Sequence, residues 1–191
     1  MLDFFKKKAA PEPAPAAPTG VSADLLERVV QALGVSDDDT ILQIGIADAS
    51  VLRHVMPLVP QGRIGGVDSD TGKVQAAIAQ FPSEYRAFKA EFKEGVASRL
   101  PFTDEHFTKV YALDSVGGWL SIPKGLAEIK RVLFPLGRVV FSLPPKQRAG
   151  VAFVPVVEVK ALLVDAGFEG VEILPAEDPE ASVIVMGQKA F

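Results

Sequence analysis

Short apolar runs alternate along this chain with stretches in which apolar residues recur three or four apart, and this alternation restricts the fold more than any other feature. Thr40-Ile41-Leu42-Gln43-Ile44-Gly45-Ile46, Arg63-Ile64-Gly65-Gly66-Val67-Asp68, Lys109-Val110-Tyr111-Ala112-Leu113-Asp114 and Arg138-Val139-Val140-Phe141-Ser142-Leu143 each read as a buried strand. Phe92 to Val96 reads as a shorter one. Between them, Leu25, Leu26, Val29, Val30 and Leu33 form a helical stripe with Ser22 as N-cap and Gly34 as stop. Ser50 to Val59 predicts a helix that Pro57 shortens or bends. Val74, Ala77, Ile78 and Phe81 predict another, ended by Pro82. Leu126, Ile129, Val132 and Leu133 predict a third, closed by Pro135 and Gly137, and Val156 to Ala166 a fourth, ended by Gly167. Val171–Leu174 and Ser182–Met186 are two strands joined by a loop alone, as in a hairpin. Helices between apolar strands require crossovers, which predicts an α/β fold: a Rossmann-like, mostly parallel sheet with helices on both faces.

Residues 9–18 hold four prolines, five alanines and one glutamate, a composition that favours extended polyproline II and buries nothing. The chain therefore divides into a tail at 1–20 and a folded domain at 21–191. At the tail's tip, Leu2, Phe4 and Phe5 stand beside Lys6, Lys7 and Lys8, the pattern of a small docking or membrane-touching anchor as well as of a frayed terminus. These lysines follow the apolar residues instead of preceding them, and no run reaches the ~18 apolar residues of a membrane span, so a cytoplasmic protein is expected. A net charge of −4 argues against nucleic acid as a partner. The absence of cysteine excludes disulfides, thiol catalysis and cysteine-ligated metal. His54 and His106 have no neighbour in sequence at metal-ligand or acid–base spacing, so both read as solvated surface and no metal site is expected. The acidic run Asp37-Asp38-Asp39 reads as a solvated turn.

Ligands of such sheets bind beyond the carboxyl ends of the strands. The first strand exits at Gly45-Ile46-Ala47-Asp48-Ala49, where a nucleotide needs a tight turn and close approach to the backbone. The second ends in Asp68, 23 residues after Gly45, suitably placed for a carboxylate that accepts from two ribose hydroxyls. A solvated turn acid would look the same.

From Val21 onward the chain resembles the class I S-adenosylmethionine-dependent methyltransferases, in particular the small-molecule enzymes with a Leu-Pro-Phe motif. The resemblance rests on Ile41–Ala49 as first strand and loop, Gly66-Val67-Asp68 as second-strand acid and Leu100-Pro101-Phe102 ahead of the fourth strand. Glu128–Arg138 matches the helix and turn before strand five, and Ala166-Gly167-Phe168 the segment before strand six. It implies seven strands with the last antiparallel, S-adenosylmethionine as cofactor, and cofactor contacts from Gly45, Ala47 and Asp68. Several positions depart from the family pattern. Its first-strand acid is Gln43, its later loop glycines are Ala47 and Ala49, its adenine-recognising acid is Val96, and its Phe-Asp is Phe107-Thr108. Each added methyl is expected to overpack by ~1–3 kcal/mol. Asp48 adds a like charge near the cofactor carboxylate, and Val96 removes an acceptor worth ~1 kcal/mol. A weakened cofactor site is the expectation. Asp114, at the end of the fourth strand, is the candidate catalytic residue against a turn or cap role. Trp119 is the candidate substrate contact against core or lid packing. The leading expectation is methyl transfer to a small molecule. The rival is a non-catalytic scaffold that binds a protein partner through the same fold and is tethered by its tail. A third reading has the tighter, more apolar pocket take a hydrophobic metabolite.

Overall fold

A computed structural model describes residues 21–46, 49–146 and 152–191. The tail at 1–20, with its anchor, and the loop residues Ala47 and Asp48 lie outside the described residues. The chain runs α1 (Ala23–Leu33), β1 (Thr40–Ile44), α2 (Ser50–Val55), β2 (Arg63–Asp68), α3 (Thr71–Gln80), α4 (Pro82–Arg86) and β3 (Ala90–Glu94). It continues with β4 (Phe107–Leu113), α5 (Ile122–Val132), β5 (Leu133–Leu143), α6 (Val156–Asp165), β6 (Phe168–Leu174) and β7 (Val183–Lys189). All seven strands join one sheet in the order β3-β2-β1-β4-β5-β7-β6. Every pairing from β3 to β5 is parallel, and β7 runs antiparallel to both β5 and β6, as the resemblance implies.

Local signals set the ends of these elements. The Ser22 hydroxyl accepts from the Leu25 amide at 3.1 Å, and Gly34 ends α1 at φ +59. Asp70 caps α3 through the Gly72 and Lys73 amides, and Ser121 caps α5. Pro57 limits α2 to Val55, after which Met56–Leu58 tightens into a 3₁₀ turn. Pro82 stops α3 and opens α4, which the apolar spacing does not reveal.

Each sheet face carries its own core. On one, Leu26, Val29 and Leu33 of α1, Leu52 and Val55 of α2 and Ala77 of α3 cover Ile41, Tyr111 and Val140. On the other, Leu126 and Ile129 of α5 and Val159 and Leu163 of α6 cover Leu42, Val110 and Phe141. Burying each such aliphatic side chain contributes ~1.5–3 kcal/mol, so the strands are pinned from both sides and their carboxyl ends form a fixed rim.

Several boundaries differ from expectation: β6 starts at Phe168 and not Val171, β7 runs on to Lys189 and not Met186, and β3 and β5 shift as well. β3 is Ala90–Glu94 and not 92–96, because the Gly95 amide bonds to the Asp68 carbonyl at 3.0 Å and the chain then turns. β5 begins five residues early, at Leu133, and bends where Leu136 adopts φ +63.

Candidate functional site

Beyond Ile44 the chain turns at Gly45, whose φ of +84 lies in the left-handed region. A Cβ there would lie 3.2 Å from the Ser115 hydroxyl, so angle and space both call for glycine. The Gly45 amide donates to the Val67 carbonyl at 2.8 Å, which stitches the turn to β2. Beneath it, Gln43 is 1% exposed. Its Nε2 donates to the Gly45 carbonyl at 3.0 Å and its Oε1 accepts from the Tyr111 hydroxyl at 2.8 Å. Burial pushes the Tyr111 phenol far above its usual range. Ile46 folds back over β2, where a Cβ on Gly66 would lie 2.7 Å from its Cδ1. Ala49 has φ −77 and is buried in the first core. Its methyl thus packs against apolar neighbours, and its backbone requires no glycine. Ala47 and Asp48, the other two loop positions singled out in the sequence, lie outside the described residues.

Asp68 ends β2 and is 8% exposed. Its Oδ1 accepts the Asp70 amide at 2.9 Å and its Oδ2 stands 3.7 Å from the Lys73 ammonium. Each carboxylate oxygen carries two lone pairs, so acceptor capacity remains for a ligand hydroxyl. In the turn after β3, Val96 is 39% exposed and presents an apolar surface with no side-chain acceptor.

Asp114, just past β4, takes φ +49. The Ser142 hydroxyl donates to its Oδ1 at 2.7 Å and the Ser182 hydroxyl to its Oδ2 at 2.9 Å. Its own amide donates to the Ser142 carbonyl at 3.0 Å. The Ser182 carbonyl in turn accepts from Arg28 of α1 at 3.1 Å. The carboxylate therefore ties the exits of β4 and β5 to the entry of β7. Trp119 meets Phe141 edge-on, with centroids 5.5 Å apart, and packs so closely on Gly125 that a Cβ there would lie 2.7 Å from the ring. Its neighbour Leu120 is 92% exposed. Phe153 and Val157, in the segment after β5, are exposed too. Sequence reasoning missed these three exposed apolar side chains, as it missed Ser142, Ser182 and Tyr111. One signal existed: Gln43 and Tyr111 are the polar-tipped residues inside the apolar runs Ile41–Ile44 and Val110–Leu113.

The Leu-Pro-Phe segment lies under a charged clamp. Arg131 donates to both Glu128 oxygens at 2.9 and 2.8 Å, to Asp104 at 2.7 Å, and to the carbonyls of Phe102 and Leu100 at 2.8 and 3.1 Å. Glu128 also accepts the Leu100 amide at 2.8 Å. The Arg131 hydrogen bond holds the Glu128 carboxyl below its usual range and raises the guanidinium further.

Two surface expectations need correction. Asp39 is buried, not solvated: it accepts from the Thr108 hydroxyl at 2.6 Å and the Ser36 amide at 2.7 Å, while Asp37 and Asp38 stay exposed. His106 lies 3.2 Å from Glu91 and packs between Phe102 and Phe107, a pairing that folding creates across 15 residues of sequence. His54 is exposed. Among the described residues no group of three or more His, Cys, Asp or Glu side chains could hold a metal ion. A cavity of about 430 Å³ beside Arg63, Tyr85, Phe88 and Glu91 opens at the amino end of β3, away from Gly45 and Asp68.

The fold recurs in known proteins. Residues 42–141, just over half of the chain, match the methyltransferase domain family. The chain belongs to that family. Its fold is that of the class I S-adenosylmethionine-dependent methyltransferases. An S-adenosylmethionine-dependent methyltransferase structure from Aquifex aeolicus superposes with a TM-score of 0.74 at 19% identity, covering 86% of this chain and 89% of that one. Demethylmenaquinone methyltransferase of Thermus thermophilus is 33% identical over 139 residues, 65% of this chain and 62% of that protein. Erythromycin 3''-O-methyltransferase of Saccharopolyspora erythraea is 30% identical over 92 residues, 48% of this chain and 30% of that protein. This methyltransferase domain spans less than two thirds of the length of the curated relatives it matches. The family implies S-adenosylmethionine as cofactor. No helix among the described residues is long and apolar enough to cross a membrane.

Proposed function

We propose that this methyltransferase domain binds S-adenosylmethionine at the rim formed by β1, β2 and β3 and methylates an apolar small molecule. The observation that carries the reading is the pairing of a left-handed Gly45, whose missing side chain leaves the backbone open to close approach, with the nearly buried Asp68 on the adjacent strand end. The cofactor, when bound, supplies an electrophilic methyl group on a sulfonium. Asp68 would accept from the ribose hydroxyls, with the Lys73 ammonium 3.7 Å from its Oδ2. Gly45 and the backbone at Ala47 would hold the amino-acid end, and Val96 would offer the base an apolar surface instead of an acceptor. Asp114 is assigned a positioning role, because its carboxylate ties Ser142 of β5 to Ser182 ahead of β7 and so braces the wall of the site. Trp119 closes the site from the α5 side. The exposed apolar side chains of Leu120, beside Trp119, and of Phe153 and Val157, after β5, support an apolar acceptor, and the quinone and macrolide named for the relatives above support a small-molecule one. In-line transfer on a preorganised rim gains most from orientation and requires no dedicated base.

Calorimetric titration with S-adenosylhomocysteine tests the reading. Saturable binding at micromolar to submillimolar concentration is expected, weakened at least about 30-fold by Asp68→Ala, a loss of ~2 kcal/mol. Silence to millimolar concentration would favour the scaffold reading.

A further inference from the structure

We propose that Gln43 is the positioning residue of the cofactor turn, holding the Gly45 carbonyl inward, so that this turn requires a neutral hydrogen-bond donor at position 43 where the resembling enzymes carry an acid. For its cofactor readout the inference rests on the function proposed above; for its stability readout it does not.

The orientation of the Gln43 amide is forced. A carbonyl oxygen has no hydrogen to give, so the atom 3.0 Å from the Gly45 oxygen is Nε2. The remaining oxygen must accept, and the Tyr111 hydroxyl donates to it at 2.8 Å. Among the described residues no buried side-chain polar atom lacks a partner, so both polar ends of Gln43 and the Tyr111 hydroxyl are satisfied. A carboxylate at position 43 would set two acceptors face to face about 3 Å apart in a site 1% exposed, where water screens nothing. The departure at position 43 is therefore matched by its surroundings: a tyrosine to fill the oxygen and a carbonyl to take the N–H. With φ +84, Gly45 turns the chain out of β1, and its carbonyl is the one that Gln43 holds.

Tyr111 of β4 is the titratable group bonded to Gln43; Asp68 ends the neighbouring β2 and pairs with Lys73 of α3, and Asp114 follows β4. From the covering helices come Asp24, Glu27 and Arg28 of α1 and Arg53 and His54 of α2. All of the helix groups are exposed except Arg28, which donates to the Ser182 and Pro175 carbonyls. All are shared by wild type and a Gln43 variant, so the pH dependence of the ratio reports the new carboxyl together with its coupling to them.

The test compares the full chain and Gln43→Glu between pH 8.5 and pH 6, measuring S-adenosylhomocysteine affinity by calorimetry and the thermal midpoint without ligand. Burial raises the new carboxyl's pKa, so its O–H, the donor that replaces Nε2, is present below that pKa and lost above it. At pH 8.5 the variant should bind at least about 10-fold more weakly than wild type. At pH 6 it should come within about 3-fold, and the gap in thermal midpoint should close over the same range. A ratio and a gap that stay flat with pH overturn the inference. If wild type does not bind S-adenosylhomocysteine, the proposed function fails, while the midpoint gap still decides this proposal. If the variant is unfolded at pH 8.5, folding on transfer to pH 6, followed by circular dichroism, supports it, and a chain unfolded at both pH values overturns it. Adding Tyr111→Phe removes the phenol that stabilises the carboxylate, so the pH at which the gap closes should rise; an unmoved transition contradicts the pairing.

Discussion

The clamp over the Leu-Pro-Phe segment and the turn after β1 are both places where this chain matches a family pattern, yet they are built on opposite principles. In the clamp every matched residue is charged or bonded to a charge: Arg131 reaches Glu128, Asp104 and two carbonyls, and Glu128 reaches back to Leu100. In the turn the buried polar pair, Gln43 and Tyr111, is neutral. The clamp is half in water and tolerates charge; the turn lies between two helices and a sheet, where an unpaired charge would be costly. Here the buried polar residue of the turn is satisfied by a phenol and a backbone carbonyl, with no charge involved.

The largest effect should come from breaking the clamp. Arg131→Met leaves Glu128 and two carbonyls without their donor, and at ~1.5–3 kcal/mol for hydrogen bonds to a charged group the domain should lose ~3 kcal/mol. The thermal midpoint should then fall by roughly 6–12 °C, with S-adenosylhomocysteine affinity changed less than about 3-fold. A variant that keeps its midpoint but loses binding would put the clamp in the site and not under it. Acid should loosen the clamp next. Glu128 is held below its ordinary value of 4.5, so its contribution is present above that value and lost as pH falls through the lowered one. Urea denaturation of wild type should therefore weaken more steeply below pH 4.5 than that of Glu128→Gln, and parallel curves would deny the carboxylate this role. Smallest is a gain at a third place, the bend in β5. Leu136 sits at φ +63, 53% exposed, and pays the left-handed penalty without burying much. Leu136→Gly should stabilise by ~0.5–1 kcal/mol once the flexibility of glycine in the unfolded chain is subtracted. An unchanged denaturation midpoint would show that the bend costs nothing.

The scaffold was legible because its signals are local and redundant. Apolar runs fixed β1, β2, β4 and β5, and Ser22, Gly34 and Pro57 marked ends that hold in three dimensions. The β3 boundary was misread because Phe92 and Val96 look alike in sequence, whereas only the Gly95 amide knows that it bonds to Asp68. Asp39 and His106 were misread for a deeper reason: Thr108 lies 69 residues from the one and Glu91 fifteen from the other. The same applies to the site. Gly45 and Asp68 are visible as residue types at a spacing, but Gln43 reads as a lost acid until Tyr111, 68 residues on, is seen to complete it. Ala49 likewise reads as a crowding methyl until its φ of −77 and its place in the core are known.

What matters most is whether the rim between β1 and β2 still accepts the nucleoside. A crystal of the protein grown with S-adenosylhomocysteine answers this directly. The account predicts density lying along the Gly45 turn, with both ribose hydroxyls on the Asp68 carboxylate and the Gly45 carbonyl still turned toward Gln43. A nucleoside seated elsewhere, or a rim that stays empty at millimolar ligand, would contradict it.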